Sequence, residues 1–353
     1  MKAQIDPVFA QFYTAPAMLN PAMIGVYSGS FRFNANYRQQ WTDIFSNQPI
    51  RTIQAAFDTR IRIIDDDFLA LGLNAINDEV GGDGSFKSTK ANLGFSYLKQ
   101  LNGSKYKSSD QYLIAGAQVG LGQQSVNYKS LWYDVQLDPT NTFVHYDWQN
   151  GVAVPQSNMY VDFNAGLLWY NLFEENKSIY FGAAMSHINK PNISFYNSPK
   201  AAMYRRLTVH GGGEIPFSKE LSILPAMVIT SQGPSLTTEF GANVRYSNHD
   251  WNEAAVRIGA WYRIANSSGT ISTAGVKDSI GSPTPVIAGG SSILGDAIIF
   301  AGILEINRWQ IGISYDVHVS SLSQPTNSRG GFELSLIYVH PYTKSVNTSC
   351  PKF

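Results

Sequence analysis

Apolar and polar residues alternate with period two along most of this chain. The pattern constrains the fold more than any motif, because only a strand sets successive side chains on opposite faces. In residues 31–41, Phe31, Phe33, Ala35 and Tyr37 share one face, and Arg32, Asn34, Asn36 and Arg38 share the other. Residues 161–169 set Val161, Phe163, Ala165, Leu167 and Trp169 against Asp162, Asn164 and Gly166. Residues 236–246 oppose Phe240, Ala242, Val244 and Tyr246 to Glu239, Gly241, Asn243 and Arg245, and residues 256–264 gather Arg257, Gly259 and Arg263 on the polar face. The cleanest case is 309–317, with Trp309, Ile311, Ile313, Tyr315 and Val317 against Gln310, Gly312, Ser314 and Asp316.

The spacing of these segments predicts fourteen strands, an even number, beginning near Phe31, Thr52, Phe68, Thr89, Gln111, Met159, Ser178, Met203, Leu221, Leu236, Ala254, Asp296, Arg308 and Gly331. Connections after odd strands are long (125–158, 189–202, 266–295), whereas those after even strands are short (171–176, 217–220, 248–251); only 231–235 breaks the rule. A soluble sandwich has no reason to sort its connections this way. A transmembrane antiparallel β-barrel does, with short periplasmic turns and long extracellular loops. The expected organisation is an arm over 1–30, periplasmic or plugging, a barrel over 31–340 and a short periplasmic tail over 341–353. Both termini are then periplasmic.

Composition agrees. Charged residues make up 15%, against about 25% in soluble domains, and aromatics reach 13% with 30 glycines. Lys+Arg and Asp+Glu are equal at 26 each, so no global field recruits nucleic acid. Residues 285–304 form the longest low-charge run, but Pro285, four glycines and Asp296 make it a poor helical span; it reads as a Gly/Ser-rich loop leading into a strand. On a lipid-facing surface at mid-depth an Arg costs about 2–4 kcal/mol. Arg32, Arg38, Asp58, Glu239, Arg245, Arg257, Arg263, Asp316 and Glu333 are therefore expected in the lumen, as ion pairs or as the lining of a channel.

Ahead of the first strand, residues 6–25 read DPVFAQFYTAPAMLNPAMIG. Pro7, Pro16 and Pro21 forbid a continuous helix, which predicts an extended, turning arm. Phe9, Phe12, Tyr13, Met18, Leu19, Met23 and Ile24 are too apolar for a solvated tail and call for something to pack against. The ordered string Asp6-Pro7-x-Phe9, Gln11-Phe12-Tyr13, Leu19-Asn20-Pro21-Ala22 and Gly25, followed by Tyr37-Arg38-Gln39-Gln40-Trp41, resembles the start of PorP/SprF-family outer-membrane proteins of the type IX secretion and gliding apparatus of Bacteroidetes-type bacteria. Looser matches are Phe57-Asp58, Leu71-Gly72-Leu73 with Asn77-Asp78, the glycines of 116–122, Ser186-His187 with Pro191, and the ending Cys350-Pro351-Lys352-Phe353.

That resemblance implies a non-enzymatic component of the secretion machine that anchors a secreted surface protein, an adhesin, by its C-terminal domain. The implied partners are that domain, periplasmic or outer-membrane secretion-machinery components, and outer-membrane lipid. An outer-membrane channel or FadL-like transporter for a small solute is the alternative.

Chemistry-bearing motifs are sparse: there is no Gly-x-Ser-x-Gly elbow, no phosphate loop and no His-Glu-x-x-His. No catalytic residue, cofactor or metal is expected. Cys350 is the single cysteine and has no internal partner, and Asp65-Asp66-Asp67 reads as a solvated turn. Met1 to Gln4 lacks the apolar core of a secretory signal, so the numbering is expected to start near a cleavage site. Between strands five and six, Trp132, Tyr133, Phe143, Tyr146 and Trp148 concentrate aromatics among few charges, the composition of a binding surface, with Trp41 and Tyr196 as candidate extensions.

Overall fold

The computed structural model describes residues 6–42, 49–63, 66–81, 86–104, 107–126, 159–174, 177–195, 201–248, 254–272, 286–320 and 328–341. Among these, fourteen strands close into one antiparallel barrel. They are β1 (Phe31–Gln40), β2 (Ile50–Arg62), β3 (Phe68–Val80), β4 (Phe86–Ser104), β5 (Lys107–Val126), β6 (Met159–Glu174), β7 (Lys177–Ser186), β8 (Arg206–Pro216), β9 (Leu221–Gln232), β10 (Ser235–Tyr246), β11 (Ala254–Ser272), β12 (Val286–Ile306), β13 (Trp309–His318) and β14 (Arg329–His340). Each strand pairs with its sequence neighbours, and β1 pairs with β14 from Phe31 opposite His340 to Gln40 opposite Gly331. Closure removes the two unpaired edges that an open sheet would leave. No helix among the described residues is long and apolar enough to cross a membrane.

Strand alternation sorts the side chains by face. Phe33, Val244, Ile258 and Ile313 are exposed on the outside, while Arg32, Arg38, Asp58, Glu239, Arg257, Arg263, Asp316 and Glu333 are buried inside. The inversion of the usual soluble arrangement is what a lipid solvent demands. At the short-turn end Phe31, Phe173, Phe217, Tyr246, Trp309 and Tyr338 lie near strand ends, with Phe31 stacked on His340 at 4.7 Å and Trp309 against Tyr338 at 4.6 Å. Aromatic rings at this level form the girdle typical of such barrels.

Three expectations need correction. Residues 286–295 are not a loop: β12 starts at Val286, and the β11–β12 ladder runs on from Asn266 opposite Ile293 to Ser272 opposite Val286. Antiparallel pairing needs only backbone groups, so small Gly, Ser and Ala residues extend it as well as apolar ones. Strand β8 starts at Arg206: among the described residues, 187–195 and 201–205 lie outside the barrel strands and are joined by a bridge between Asn192 and Ala202. Asp67 is not a solvated turn residue. It accepts from Tyr97 Oη at 2.7 Å, Lys99 Nζ at 2.8 Å and the Gln100 N–H at 2.9 Å, tying the β2–β3 turn to β4.

Two irregularities shape the lumen. Where Arg263 faces Ala297 and Ile264 faces Gly295, Asp296 is the extra residue of a bulge. A second slip, between Tyr315 and Val317, sets Asp316 against the glycine pair Gly330-Gly331. Bulges re-aim side chains, and both carboxylates reach the same guanidinium, that of Arg263.

Candidate functional site in the lumen

The arm occupies the barrel interior. It is not extended: one 3-10 turn covers Phe12–Thr14, a four-residue helix α1 covers Pro16–Leu19, and a second 3-10 turn covers Pro21–Met23. Pro16 and Pro21 stand at the first position of their turns, where the missing N–H costs nothing and the fixed φ suits a helix. Asn20 ends α1 and caps the next turn, its Oδ1 accepting from the Ala22 N–H at 2.9 Å. Gly25, at φ +80°, turns the chain toward β1, and Arg60 donates to its carbonyl at 3.1 Å.

A row of small residues on the lumen face of β3 to β7 makes room for this segment. Gly72 and Gly94 face each other across β3 and β4, Gly116 and Gly166 across β5 and β6, and Gly182 follows on β7. A methyl group added at Gly94 would run into Ile24, at Gly116 into the Pro21–Ala22 backbone, and at Gly166 into the Asn20 side chain. Asn20, fully buried, donates from Nδ2 to the Leu167 carbonyl at 3.0 Å and lies 3.0 Å from His210 Nε2. That contact makes Nε2 the acceptor and puts the ring proton on Nδ1. Ser96 Oγ donates to the Ile24 carbonyl at 2.6 Å and Gln118 Nε2 to the Ala17 carbonyl at 2.9 Å.

The opposite wall holds the arm by charge and by polar groups. Arg32 and Asp58 form a two-point pair at 3.0 and 2.8 Å; Asp58 also accepts from the Gly25 N–H at 2.7 Å, and Arg32 donates to the Met23 and Val26 carbonyls. The Ala10 and Gln11 N–H groups donate to the two oxygens of Glu333 at 2.7 and 2.9 Å. Thr14 is held by Asn34 and Asn36. Arg38 pairs with Asp316 at 3.1 Å and with Glu333 at 3.0 Å, and it donates to the Val8 carbonyl. Phe12 and Tyr13 pack on Trp261 with ring centroids 5.3 and 5.4 Å away. Further along this wall Arg245 and Arg257 share Glu305.

The two ends of the arm lie at opposite ends of the barrel. Asp6 contacts Lys90, His187 and Gln232, all at the end of the barrel that carries the long connections, whereas Gly25 to Ser30 reach the short-turn end where β1 begins. The arm therefore runs the length of the lumen. Its apolar side chains find cover inside the barrel, Ile24 along the glycine wall and Phe12 and Tyr13 against Trp261, so a segment outside the barrel mouth would leave them wet. At the short-turn end the lumen keeps a vestibule of about 900 Å³, lined by Ser28, Lys219, Glu220, Arg245, Glu305 and Arg308.

Asp6, Phe9, Phe12, Tyr13, Asn20, Pro21 and Gly25 thus come together with the lumen charges, and Pro7 lines a small cavity beside Asp6. Trp132, Tyr133, Phe143, Tyr146, Trp148 and Tyr196 lie outside the described residues; Trp41 sits at the long-connection end, its N–H donating to the Gly330 carbonyl. Lys90, His187, His210, Gln232 and Glu305 join them as partners whose pairings no sequence motif marks. The signal for the arm's seat was present as glycines at lumen-facing positions of five neighbouring strands.

A closed fourteen-strand barrel with an apolar outside, an ionic inside and an internal arm is an outer-membrane-type β-barrel. The chain belongs to the PorP/SprF family of type IX secretion system membrane proteins, whose model matches residues 1–338. It is accordingly a protein of the outer membrane. A search of curated proteins found no match. Among solved structures, the chain is similar to the TodX monoaromatic hydrocarbon channel deltaS2 mutant, with 13% identity, a TM-score of 0.47 and coverage of 93% of this chain and 94% of that one. It is similar to the CymD monoaromatic hydrocarbon channel at 11% identity and TM-score 0.48, covering 94% of each, and to the beta domain of the Bordetella autotransporter BrkA at 12% identity and TM-score 0.37, covering 88% of this chain and 99% of that one.

Proposed function

We propose that this barrel is a non-enzymatic anchor of the type IX machinery, holding a secreted surface protein by its C-terminal domain at the extracellular face. The observation that carries the reading is the filled lumen. A path for solute needs a continuous wet passage, and residues 6–25 occupy that passage with apolar side chains, main-chain hydrogen bonds and ion pairs. With its interior committed to its own arm, the barrel offers its ends for work, and the long connections supply the larger surface. Trp132, Tyr133, Phe143, Tyr146 and Trp148 are the proposed contact residues, and periplasmic or outer-membrane machinery components are proposed to meet the short-turn end.

Affinity purification from native membranes tests this. A secreted surface protein should co-purify with the intact barrel, and recovery should fall when Trp132 and Trp148 are both changed to Ala. Recovery of no such protein would refute the anchoring role. A second reading, a channel or FadL-like transporter for a small solute, draws on the polar vestibule at the short-turn end, which would receive solute if the arm moved.

A further inference from the structure

The outer end of the arm sits in a cluster whose charges are arranged around one carboxylate. Asp6 is contacted by Lys90 Nζ on one oxygen and by His187 Nε2 on the other, while Gln232 accepts from the Asp6 N–H at 2.9 Å and its amide nitrogen lies 3.4 Å from Oδ2. His187 Nδ1 lies 2.9 Å from Asp162, so each ring nitrogen faces a carboxylate oxygen, an arrangement that the imidazolium satisfies. His187 is held there at φ +58°, a conformation that non-glycine residues rarely adopt.

Beside Asp6 lies a cavity of about 50 Å³, lined by Lys90, Asn92, Asp162, His187 and Arg206. That is room for a few waters or one small planar anionic group. Arg206 is 6% exposed, its Nε has no hydrogen-bond partner, and among the described residues it has no ion pair. A buried guanidinium with an open donor beside a cavity suits an oxyanion, because an unpaired buried charge is costly and Arg matches carboxylate geometry. Only Asp6 and Asp162 among the lining residues are acidic, against Lys90, Arg206 and His187. If Asp6 left, positive charge would dominate a buried site.

We propose that Lys90, His187, Arg206 and Gln232 form a carboxylate-binding site at the extracellular end of the lumen, with Asp6 as its tethered occupant. A carboxylate entering from outside exchanges with Asp6 and so unlatches the outer end of the arm. Exchange keeps the charge balance that simple departure would break. Pro7 follows the latch directly, and its lack of an N–H leaves no main-chain donor at that residue to resist withdrawal.

The test uses the full chain purified in detergent, with succinate and the peptide tetraglutamate as probes. Calorimetry should show at least tenfold tighter binding to the Asp6→Asn barrel than to the unchanged chain, and adding Arg206→Gln should abolish the gain. Gain with succinate assigns the site to free dicarboxylates, and gain with tetraglutamate alone assigns it to acidic peptide. No gain with either, or a gain that survives Arg206→Gln, overturns the proposal. Should Asp6→Asn fail to fold, hydrogen exchange on the unchanged chain decides the matter. Saturating probe should raise exchange in residues 6–15, glucitol should not, and equal protection with and without probe refutes the exchange.

Discussion

Replacing Gly116 by Ala adds one methyl group, and the structure gives that methyl a specific obstacle. It would land on the Pro21 carbonyl and the Ala22 nitrogen, which are main-chain atoms and not the end of a side chain that can rotate away. Carbon atoms rest about 3.5–4.0 Å apart, so residues 20–24 would have to withdraw by about 1 Å. That withdrawal stretches the Asn20 bonds to Leu167 and His210 and the Ser96 bond to Ile24. Overpacking of this kind costs about 1–3 kcal/mol. In a strand without the arm, the same change should be neutral or stabilising by about 0.5–1 kcal/mol, since Gly loses more backbone entropy than Ala on folding. The account therefore predicts a change of sign: Gly116→Ala lowers unfolding stability in the full chain and raises it, or leaves it unchanged, in a chain lacking residues 6–25. Urea titration of both pairs in detergent or lipid gives the double-mutant cycle. An equal effect in the two backgrounds would refute the seating of the arm on the glycine row.

Asn20→Ala removes a cap and leaves the buried His210 nitrogen and Leu167 carbonyl without that donor, which predicts a loss of about 1–3 kcal/mol in the same titration. In a Cys350→Ser background on intact cells, an impermeant maleimide should label Pro234→Cys, which is exposed in the β9–β10 turn at the long-connection end, and should spare Lys219→Cys at the short-turn end; the reverse pattern would invert the topology. Burial works to raise the Asp67 carboxyl, but its hydrogen bonds from Lys99, Tyr97 and the Gln100 N–H outweigh burial and hold it below the ordinary carboxylate value. A depressed carboxylate contributes stability that is present above the unfolded value of about 3.9 and is lost as pH falls through the folded one. Acid titration of barrel melting should therefore show a loss below about pH 4 that is absent in Asp67→Asn.

The barrel was legible because strand periodicity and connection length are local properties of the chain. Phe33 and Ile313 could be sent to lipid and Arg38 and Asp316 to the lumen by counting along one strand. The β11–β12 ladder was not legible at Val286, since Gly and Ser pair through backbone groups that leave no side-chain pattern. The arm's apolar content showed that Phe12, Tyr13 and Ile24 need cover, yet not what covers them. For Phe12 and Tyr13 that cover is Trp261 on β11, and for residues 20–24 it is the row Gly72, Gly94, Gly116, Gly166 and Gly182 on five strands. Their alignment depends on a register that only the closed sheet sets. The cluster at Asp6 was hidden for the same reason: Lys90, His187, Arg206 and Gln232 come from widely separated parts of the chain. Opposite charges on different strands advertise nothing in the sequence until the strands are neighbours.

The central claim is that residues 6–25 close the lumen. Single-channel recording in planar bilayers compares the full chain with one from which those residues have been removed. The account predicts no steady conductance from the full chain and a persistent open pore from the shortened one. A steady pore of equal size from both would contradict it.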